Sequence, residues 1–295
     1  MSNLLKAKPI IDAKLPKLLD KSRSLAQRGL KPKLCVILVG DNPASMLYIN
    51  NKRKKCEQIE AGFELIQLAE SVNDKDFLET VKRVNNDPEV TGCFVQLPVP
   101  KHLQHIDITQ LINPKKDVDG FHLNTINQLY LNDLTGLVPC TPRGIVTLLA
   151  ENKITIQGKH VVIIGRSLIV GKPLSLILNG LNATVTLCHS HTEHLESHTK
   201  RADIIVCAIG IPEFLKEEHI SPEGKQIIID VGINKKDNKT VGDADFEHIK
   251  DKVAAITPVP GGVGPMTVFS LMENLLKTTE TILKDKTDEQ SDSAI

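Results

Sequence analysis

Short apolar runs alternate with amphipathic stretches along most of this 295-residue chain. In the first half, the apolar runs predict three buried strands, at 34–39, 64–68 and 92–97. Apolar and charged positions at helical spacing predict three helices, over 12–29, 44–61 and 74–86. Strands that alternate with helices indicate a parallel sheet with helices on its faces. The first half is therefore predicted to be an α/β domain.

A second alternating series follows a looser region that ends near Pro142. A helix predicted at 144–152 leads into this series, and a last helix is predicted over 267–283. The strands of the series are predicted at 160–164, 183–188, 203–209, 226–231 and 253–257. Residues 284–295 are charged and rich in Ser and Asp, which predicts a disordered end. The fold class is therefore α/β in both halves.

The stretch from His160 to Pro173 has the layout of a strand, a tight loop and a helix. Its apolar run ends at Gly165, and Gly171 and Pro173 follow a short turn. Glycines allow backbone to approach a ligand closely, and a helix N-terminus attracts anions such as phosphate. The loop is not a Walker A loop, because five residues separate the glycines, and it is not a G-x-G-x-x-G motif. A nucleotide site is favoured over an ordinary strand–helix turn.

The strand predicted at 183–188 runs into a polar segment that contains His189, Ser190 and His191. An NAD site usually carries an acidic residue near this point to bind the ribose diol, and none is present here. Small and potentially cationic groups suit a 2′-phosphate better. The segment therefore favours NADP as the cofactor.

Four histidines in this region raise the question of a metal site: His189, His191, His194 and His198. The last three could share one face of a helix. A solvated helix face is the preferred interpretation, because no Cys or acidic partner completes a ligand set. We therefore predict no metal.

Polar residues in the first half are candidates for substrate chemistry. Tyr48 and Lys52 are four residues apart on a predicted helix and share a face. Taken alone, this spacing favours a surface pair on a Lys-rich helix over a catalytic pair. Gln96 ends an apolar strand, where it could contact a ligand or cap the loop. Asp117 and Asp119 could bind a ligand or form an Asx turn.

Composition narrows the possible partners. The 36 basic and 36 acidic side chains cancel, and aromatic residues make up 3% of the chain with no Trp, which argues against nucleic-acid binding. No apolar run approaches membrane-spanning length, and the N-terminus lacks a signal-peptide layout. Six cysteines are scattered without a C-x-x-C pair, as in cytosolic proteins. We predict a cytoplasmic protein with no membrane or nucleic-acid partner.

Several long motifs occur in order along the chain. They are Val39–Ser45 with Tyr48 and Lys52, Val95–Pro98, Lys116–His122, Pro139–Pro142, Gly165–Pro173 and Thr257–Thr267. Together these motifs resemble the bifunctional methylenetetrahydrofolate dehydrogenase/methenyltetrahydrofolate cyclohydrolase family over nearly the whole chain.

The resemblance implies two domains around a cleft. They are a folate-binding catalytic domain at 1–142 and a Rossmann-like NADP-binding domain at 143–267. A helix at 268–284 would return to the first domain, and a disordered tail would follow at 285–295. It also implies a homodimer that acts in one-carbon metabolism on a tetrahydrofolate-derived substrate. Methylenetetrahydrofolate would give a hydride to NADP⁺, and water would then open the methenyl product to 10-formyltetrahydrofolate.

The same resemblance implies roles for individual residues. Lys52 would be the general acid/base, with a pKa lowered by burial and by the cationic substrate. Gln96 would hydrogen-bond Lys52, Tyr48 would pack on the folate, and Asp119 would bind the pterin. Further residues bordering the folate would be Ser45, Leu97, Pro260, Gly261 and Gly264. The cofactor-binding residues would be Thr141, Gly165, Arg166, Ser167, Ser190 and Ile233.

Alternatives stay open at this level. His191 stands where relatives often carry Arg or Lys, which leaves NAD as an alternative cofactor. The chain could be a dehydrogenase of the same family with weak or absent cyclohydrolase activity. It could also be a nucleotide-binding module without catalysis, or an NADP-linked amino-acid dehydrogenase.

Overall fold

The computed structural model describes residues 3–237 and 239–292, apart from the side chains of Ala44 and 289–292. The chain forms two compact units. One contains the chain up to Ala13 together with Gln128–Leu134 and Pro139–Ser270, and we call it the six-stranded unit after its sheet. The three-stranded unit contains Lys14–Asn127, Thr135–Val138 and the chain from Leu271 onward. The chain thus passes between units at several points, whereas the sequence predicts one boundary after residue 142 and one returning helix.

The strands follow the alternating pattern of the sequence. In chain order they are β1 (Asn3–Leu4), β2 (Lys33–Val39), β3 (Gly62–Leu68), β4 (Gly92–Val95), β5 (His160–Ile164), β6 (Thr184–Cys188), β7 (Ile204–Cys207), β8 (Ile227–Asp230), β9 (Asn234–Lys236), β10 (Lys239–Val241) and β11 (Ala255–Ile256). The α-helices are α1 (Ala7–Gln27), α2 (Pro43–Gln58), α3 (Asp74–Asn86), α4 (Leu123–Tyr130), α5 (Cys140–Glu151), α6 (Gly171–Gly180), α7 (Leu195–Thr199), α8 (Phe246–Ile249) and α9 (Val263–Asp292).

In the three-stranded unit, the sheet has the order β3-β2-β4 and all of its pairs are parallel. The central strand β2 is apolar at six consecutive positions, all buried, as expected for a strand covered on both faces. Helix α3 packs Phe77, Val81 and Val84 into this core. Its first turn is capped by Asn73, whose side chain accepts the Asp76 N–H at 2.9 Å.

In the six-stranded unit, parallel strands follow the order β1-β11-β8-β7-β5-β6. From β5 the chain moves outward to β6 and then returns to the other side of β5 to form β7. The direction of the strand order therefore reverses beside β5. Open α/β sheets bind ligands at such a reversal, outside the carboxyl ends of the strands.

Helix α9 is longer than the sequence predicts. It begins at Val263 instead of 267 and continues to Asp292, so 285–292 are helical where a disordered tail is predicted. Pro265 lies in the first turn, where no backbone N–H is needed, and Asp285 pairs with Lys115 Nζ at 2.6 Å. Residues 293–295 lie outside the described range.

Other elements also differ from the prediction. Strand β4 ends at Val95, so Gln96 lies just beyond it, and helix α6 begins at Gly171, two residues before Pro173. The short strand β1, the helix α4 and the β9–β10 hairpin are not predicted. None of the helices in the described segments is long and apolar enough to cross a membrane.

Candidate active site

Helix α2 presents Tyr48 and Lys52 on its packed side. Ser45 is buried on this side, and Tyr48 and Lys52 are partly buried, whereas Arg53 and Lys54 are exposed. The exposed, Lys-rich face of α2 is therefore not the face that carries Tyr48 and Lys52. Burial raises the pKa of the Tyr48 hydroxyl, so this side chain remains a neutral donor.

The ammonium group of Lys52 lies between a carbonyl oxygen and an aromatic ring. Its Nζ donates a hydrogen bond to Gln96 Oε1 at 3.1 Å. The same Nζ lies 3.8 Å from the centre of the Phe94 ring. A carbonyl oxygen and the face of an aromatic ring both attract a cation, so these two contacts hold the ammonium group in position.

Gln96 is fixed by hydrogen bonds from its side chain and from its backbone. Its Nε2 donates to the Leu97 carbonyl at 2.8 Å, and its backbone N–H donates to Ile37 at 2.8 Å on β2. Because the NH₂ group is used in this way, the carbonyl oxygen Oε1 faces Lys52. Leu97 itself is 37% exposed.

Phe94 is a site residue that sequence reasoning missed. It precedes Gln96 by two positions, and alternate residues of an extended chain point to the same side. That spacing was the available signal, but a Phe in an apolar strand is ordinarily assigned to the core.

Asp117 and Asp119 have different environments although only one residue separates them. Asp117 is buried, and its carboxylate accepts the backbone N–H groups of Gly120 at 3.1 Å and His122 at 2.8 Å. It therefore has the turn-forming role, and burial raises its pKa to about 6. Burial also raises the pKa of Asp119, while the positive charge of Lys52 acts in the opposite direction. Lys52 and Asp119 are thus close enough to interact.

The loop that carries Asp119 is tied to α9 and to β4. The buried Asn274 side chain donates from Nδ2 to the carbonyls of Val118 and Val138, each at 2.8 Å. The Cys93 N–H of β4 donates to Lys116 at 2.8 Å. These contacts fix the backbone on the N-terminal side of Asp119.

In the six-stranded unit, the loop after β5 depends on its two glycines. Gly165 has a φ of +118°, and a Cβ there would overlap the Ala208 carbonyl, which follows β7. A Cβ on Gly171 would overlap the carbonyl of Gly165 itself. The Gly165 N–H also donates to Cys188 at the end of β6, at 2.9 Å. Only glycine allows this close packing of backbone at the carboxyl edge.

The predicted phosphate-binding residues lie on this edge. Arg166, Ser167 and Ser190 are all exposed. The Ser167 hydroxyl accepts the Val170 N–H at 3.2 Å just before α6. The His191 N–H donates to His189 Nδ1 at 3.2 Å in the loop after β6. Among the described residues, no group of His, Cys, Asp or Glu forms a metal site.

The remaining predicted residues lie on three other loops or helix starts of the six-stranded unit. Thr141 Oγ1 is 3.1 Å from Thr267 Oγ1 of α9. Ile233 is 45% exposed, and a Cβ on Gly264 would lie 3.2 Å from its Cδ1. Pro260 is exposed, and the Gly261 carbonyl accepts the Ala7 N–H at 2.9 Å.

The predicted site residues therefore form separate groups. Lys52, Gln96 and Asp119 interact within the three-stranded unit, with Tyr48 on the same face of α2. Within the six-stranded unit, the Gly165 loop adjoins the end of β6, and Ile233 adjoins Gly264.

Comparison with known proteins adds two matches to domain families. Residues 5–119 match the family model described as tetrahydrofolate dehydrogenase/cyclohydrolase, catalytic domain. Residues 139–283 match the model described as tetrahydrofolate dehydrogenase/cyclohydrolase, NAD(P)-binding domain.

Individual relatives agree with these matches. The bifunctional protein FolD of Francisella philomiragia is 46% identical over 256 residues, which cover 87% of this chain and 90% of the relative. A crystal structure of the Campylobacter jejuni methylenetetrahydrofolate dehydrogenase/cyclohydrolase has a TM-score of 0.91 at 40% identity, covering 95% of this chain and 99% of the other. The Trypanosoma brucei enzyme, complexed with NADP and an inhibitor, has a TM-score of 0.87 at 32% identity, with coverages of 97% and 98%.

Proposed function

The chain belongs to the tetrahydrofolate dehydrogenase/cyclohydrolase family, and we propose that it oxidises methylenetetrahydrofolate with NADP⁺ and then hydrolyses the methenyl product to 10-formyltetrahydrofolate. It is thus an enzyme with an oxidoreductase and a hydrolase activity. The three-stranded unit would supply the side chains that act on the folate. The six-stranded unit would hold the nucleotide and would border the folate with Pro260, Gly261 and Gly264.

The carboxyl edge of the six-stranded sheet fits a dinucleotide phosphate. Gly165 and Gly171 keep the loop after β5 free of side chains at the point of closest packing, and Arg166 and Ser167 stand exposed beside the start of α6. Arg166, Ser167 and Ser190 would hold the phosphates of the adenine half, and Thr141 and Ile233 would border the nicotinamide. The bound NADP⁺ supplies the hydride acceptor.

Two side chains of the three-stranded unit would bind and orient the folate. Asp119 would accept hydrogen bonds from the amino group and ring nitrogen of the pterin. Tyr48 would pack against the folate on the same side of α2 as Lys52. Holding the reacting carbon in one orientation is the main contribution a protein can make to hydride transfer.

Lys52 would move the protons of the hydrolysis. In the free enzyme the Nζ of Lys52 contacts the Phe94 ring and the Gln96 carbonyl. A cationic methenyl group bound nearby would disfavour the ammonium form of Lys52 and promote loss of its proton. Neutral Lys52 could then take one proton from the attacking water and return it to the folate nitrogen as the C–N bond of the ring breaks. The second proton of that water would pass to Lys52 as the formyl C=O bond forms, which restores the ammonium group.

The contact between Lys52 and Gln96 carries this proposal, because it joins a titratable amine of α2 to a fixed carbonyl oxygen just beyond β4. The test is an absorbance assay of the purified protein with methylenetetrahydrofolate, run with NADP⁺ and NAD⁺ in parallel. Reduced cofactor without lasting methenyl product supports both activities. Accumulation of the methenyl product would indicate a dehydrogenase alone, and no reaction with either cofactor would indicate a binding module.

NADP is the proposed preferred cofactor, because no acidic residue stands at 188–192, after β6, to bind a ribose diol. We also propose that the protein is a homodimer, on the basis of family membership alone. Light scattering would test this oligomeric state. A cytoplasmic location is supported by six free cysteines, all of them buried.

A further inference from the structure

Two buried aspartates organise the carboxyl edge of the six-stranded sheet. Asp230, the last residue of β8, is 1% exposed. Its Oδ1 accepts the backbone N–H groups of Gly232 at 3.1 Å and Asp243 at 2.8 Å, and its Oδ2 accepts that of Ala244 at 2.9 Å. Asp230 thereby joins the loop after β8 to the segment that follows β10.

Asp243 is completely buried and joins two further segments. Its Oδ2 accepts the N–H groups of Ile209 at 2.7 Å and Gly210 at 3.0 Å, just after β7. Its Oδ1 accepts the side-chain amide of Asn234 at 2.9 Å, at the start of β9. The two carboxylates therefore connect the loops after β7, β8 and β10.

The two aspartates are interlocked through glycines. A Cβ on Gly232 would overlap the Asp243 carboxylate, and a Cβ on Gly242 would overlap the Asp230 carboxylate. The six donors named above are all neutral N–H groups. Removing either carboxylate would leave buried backbone donors without acceptors, which is costly in a dry interior.

The loops held by this pair are those that carry the proposed nucleotide site. Asp243 fixes Ile209, and the preceding residue, Ala208, packs against Gly165 beside Arg166. Asp230 fixes Gly232, which precedes Ile233 at the proposed nicotinamide end. The pair thus reaches backbone on both sides of the cofactor site.

We propose that Asp230 and Asp243 are positioning residues for the nicotinamide nucleotide, acting as an interlocked carboxylate pair that holds the loops after β7 and β8 in the binding conformation. This inference rests on the proposed function. It concerns the affinity for the cofactor and not the chemistry that Lys52, Gln96 and Asp119 would perform on the folate.

The hydrogen-bond partners predict different responses to the same substitution. In Asp243→Asn, the remaining oxygen can accept from Ile209 and Gly210 while the new NH₂ faces Asn234, whose amide can rotate to offer its own oxygen. In Asp230→Asn, every partner is a backbone N–H that cannot become an acceptor, so the NH₂ must face a donor. Asp243→Ala removes all three hydrogen bonds of the Asp243 carboxylate.

The test is titration of the purified full-length protein with NADPH, followed by nucleotide fluorescence. We expect Asp243→Ala and Asp230→Asn to weaken NADPH binding about tenfold or more, and Asp243→Asn to recover most of the affinity that Asp243→Ala loses. The KM for methylenetetrahydrofolate at saturating NADP⁺ should change less than twofold. Asp251→Ala, an exposed position in the same unit, is the matched control.

The outcomes separate this inference from the proposed function. If the unmodified protein binds neither NADPH nor NADH, the proposed function fails and the inference fails with it. If the unmodified protein binds NADPH and all variants bind equally, the carboxylate pair has no positioning role although the function stands. Equal loss of NADPH affinity in Asp243→Asn and Asp243→Ala, or a parallel rise in the folate KM, would also overturn the inference, because it would indicate general destabilisation.

Discussion

Replacing Lys52 by Met tests the proposed hydrolysis most directly. Methionine keeps the length and apolar stem of the side chain and removes only the group that can carry a proton. The ammonium of Lys52 is 3.1 Å from Gln96 Oε1 and 3.8 Å from the centre of the Phe94 ring. We expect Lys52→Met to lose cyclohydrolase activity, to fold normally and to keep measurable dehydrogenase activity.

The hydrogen bond to Gln96, the contact with the Phe94 ring and the attraction to Asp119 all bear on the change in the free energy of unfolding. A hydrogen bond from a charged donor contributes about 1.5–3 kcal/mol, and a cation–π interaction about 0.5–2 kcal/mol. Lys52 is only partly buried, and removing its charge also removes the cost of desolvating it, so the net destabilisation should stay within about 2 kcal/mol. Loss of general acid/base catalysis typically lowers a rate by about 100- to 10,000-fold. Hydrolysis should therefore fall far more than stability does.

The assay follows the decay of methenyltetrahydrofolate absorbance, corrected for the uncatalysed hydrolysis, while thermal unfolding is recorded on the same samples. Lys54→Met is the matched control, because Lys54 is exposed on the same helix. Lys52→Arg should be as inactive in hydrolysis as Lys52→Met, because a guanidinium does not lose its proton. Retention of more than about a tenth of the normal hydrolysis rate in Lys52→Met would refute the proton-transfer role, since the decrease would fall below the range expected for such catalysis.

The other predictions concern binding, orientation and pH. Asp119→Ala should raise the folate KM about tenfold or more and leave the Kd for NADPH nearly unchanged; equal losses would place Asp119 outside the folate site. Gln96→Leu should lower hydrolysis about tenfold or more, by removing the carbonyl oxygen that orients Lys52, and an unchanged rate would exclude that role. Burial raises the pKa of the Asp230 carboxyl group from 3.8 to about 7, although backbone hydrogen bonds act in the opposite direction. Between these two pH values Asp230 is protonated in the folded protein and ionised in the unfolded chain. Stability should consequently increase as pH falls from 8 to 5, with Asp230 contributing about 3 kcal/mol; urea unfolding that showed no gain towards pH 5 would contradict this shift.

Local signals accounted for much of the fold. The helix predicted over 74–86 and the strand predicted over 160–164 have the bounds found in the structure, because a capping residue or a glycine stands at the end of each pattern. The two-residue strand β1 escaped prediction because it exists only through pairing with β11, about 250 residues later. The end of α9 escaped prediction because charged composition resembles disorder, whereas contacts such as that of Asp285 with Lys115 hold this segment as a helix.

Asp117 and Asp119 show where residue type alone was insufficient to identify the folate site. Both are carboxylates in one motif, and sequence reasoning left each open as a ligand or as part of an Asx turn. The turn creates two backbone donors, at Gly120 and His122, and the Asp117 carboxylate accepts both. Asp119 is not required for that structural task, and its charge interacts with Lys52 instead. The roles differ because the folded backbone brings the N–H groups of the turn to Asp117 and not to Asp119.

A matched pair of Asn substitutions should accordingly separate the two effects, with Asp117→Asn acting mainly on stability and Asp119→Asn mainly on folate affinity. A larger loss of folate affinity in Asp117→Asn than in Asp119→Asn would reverse this assignment.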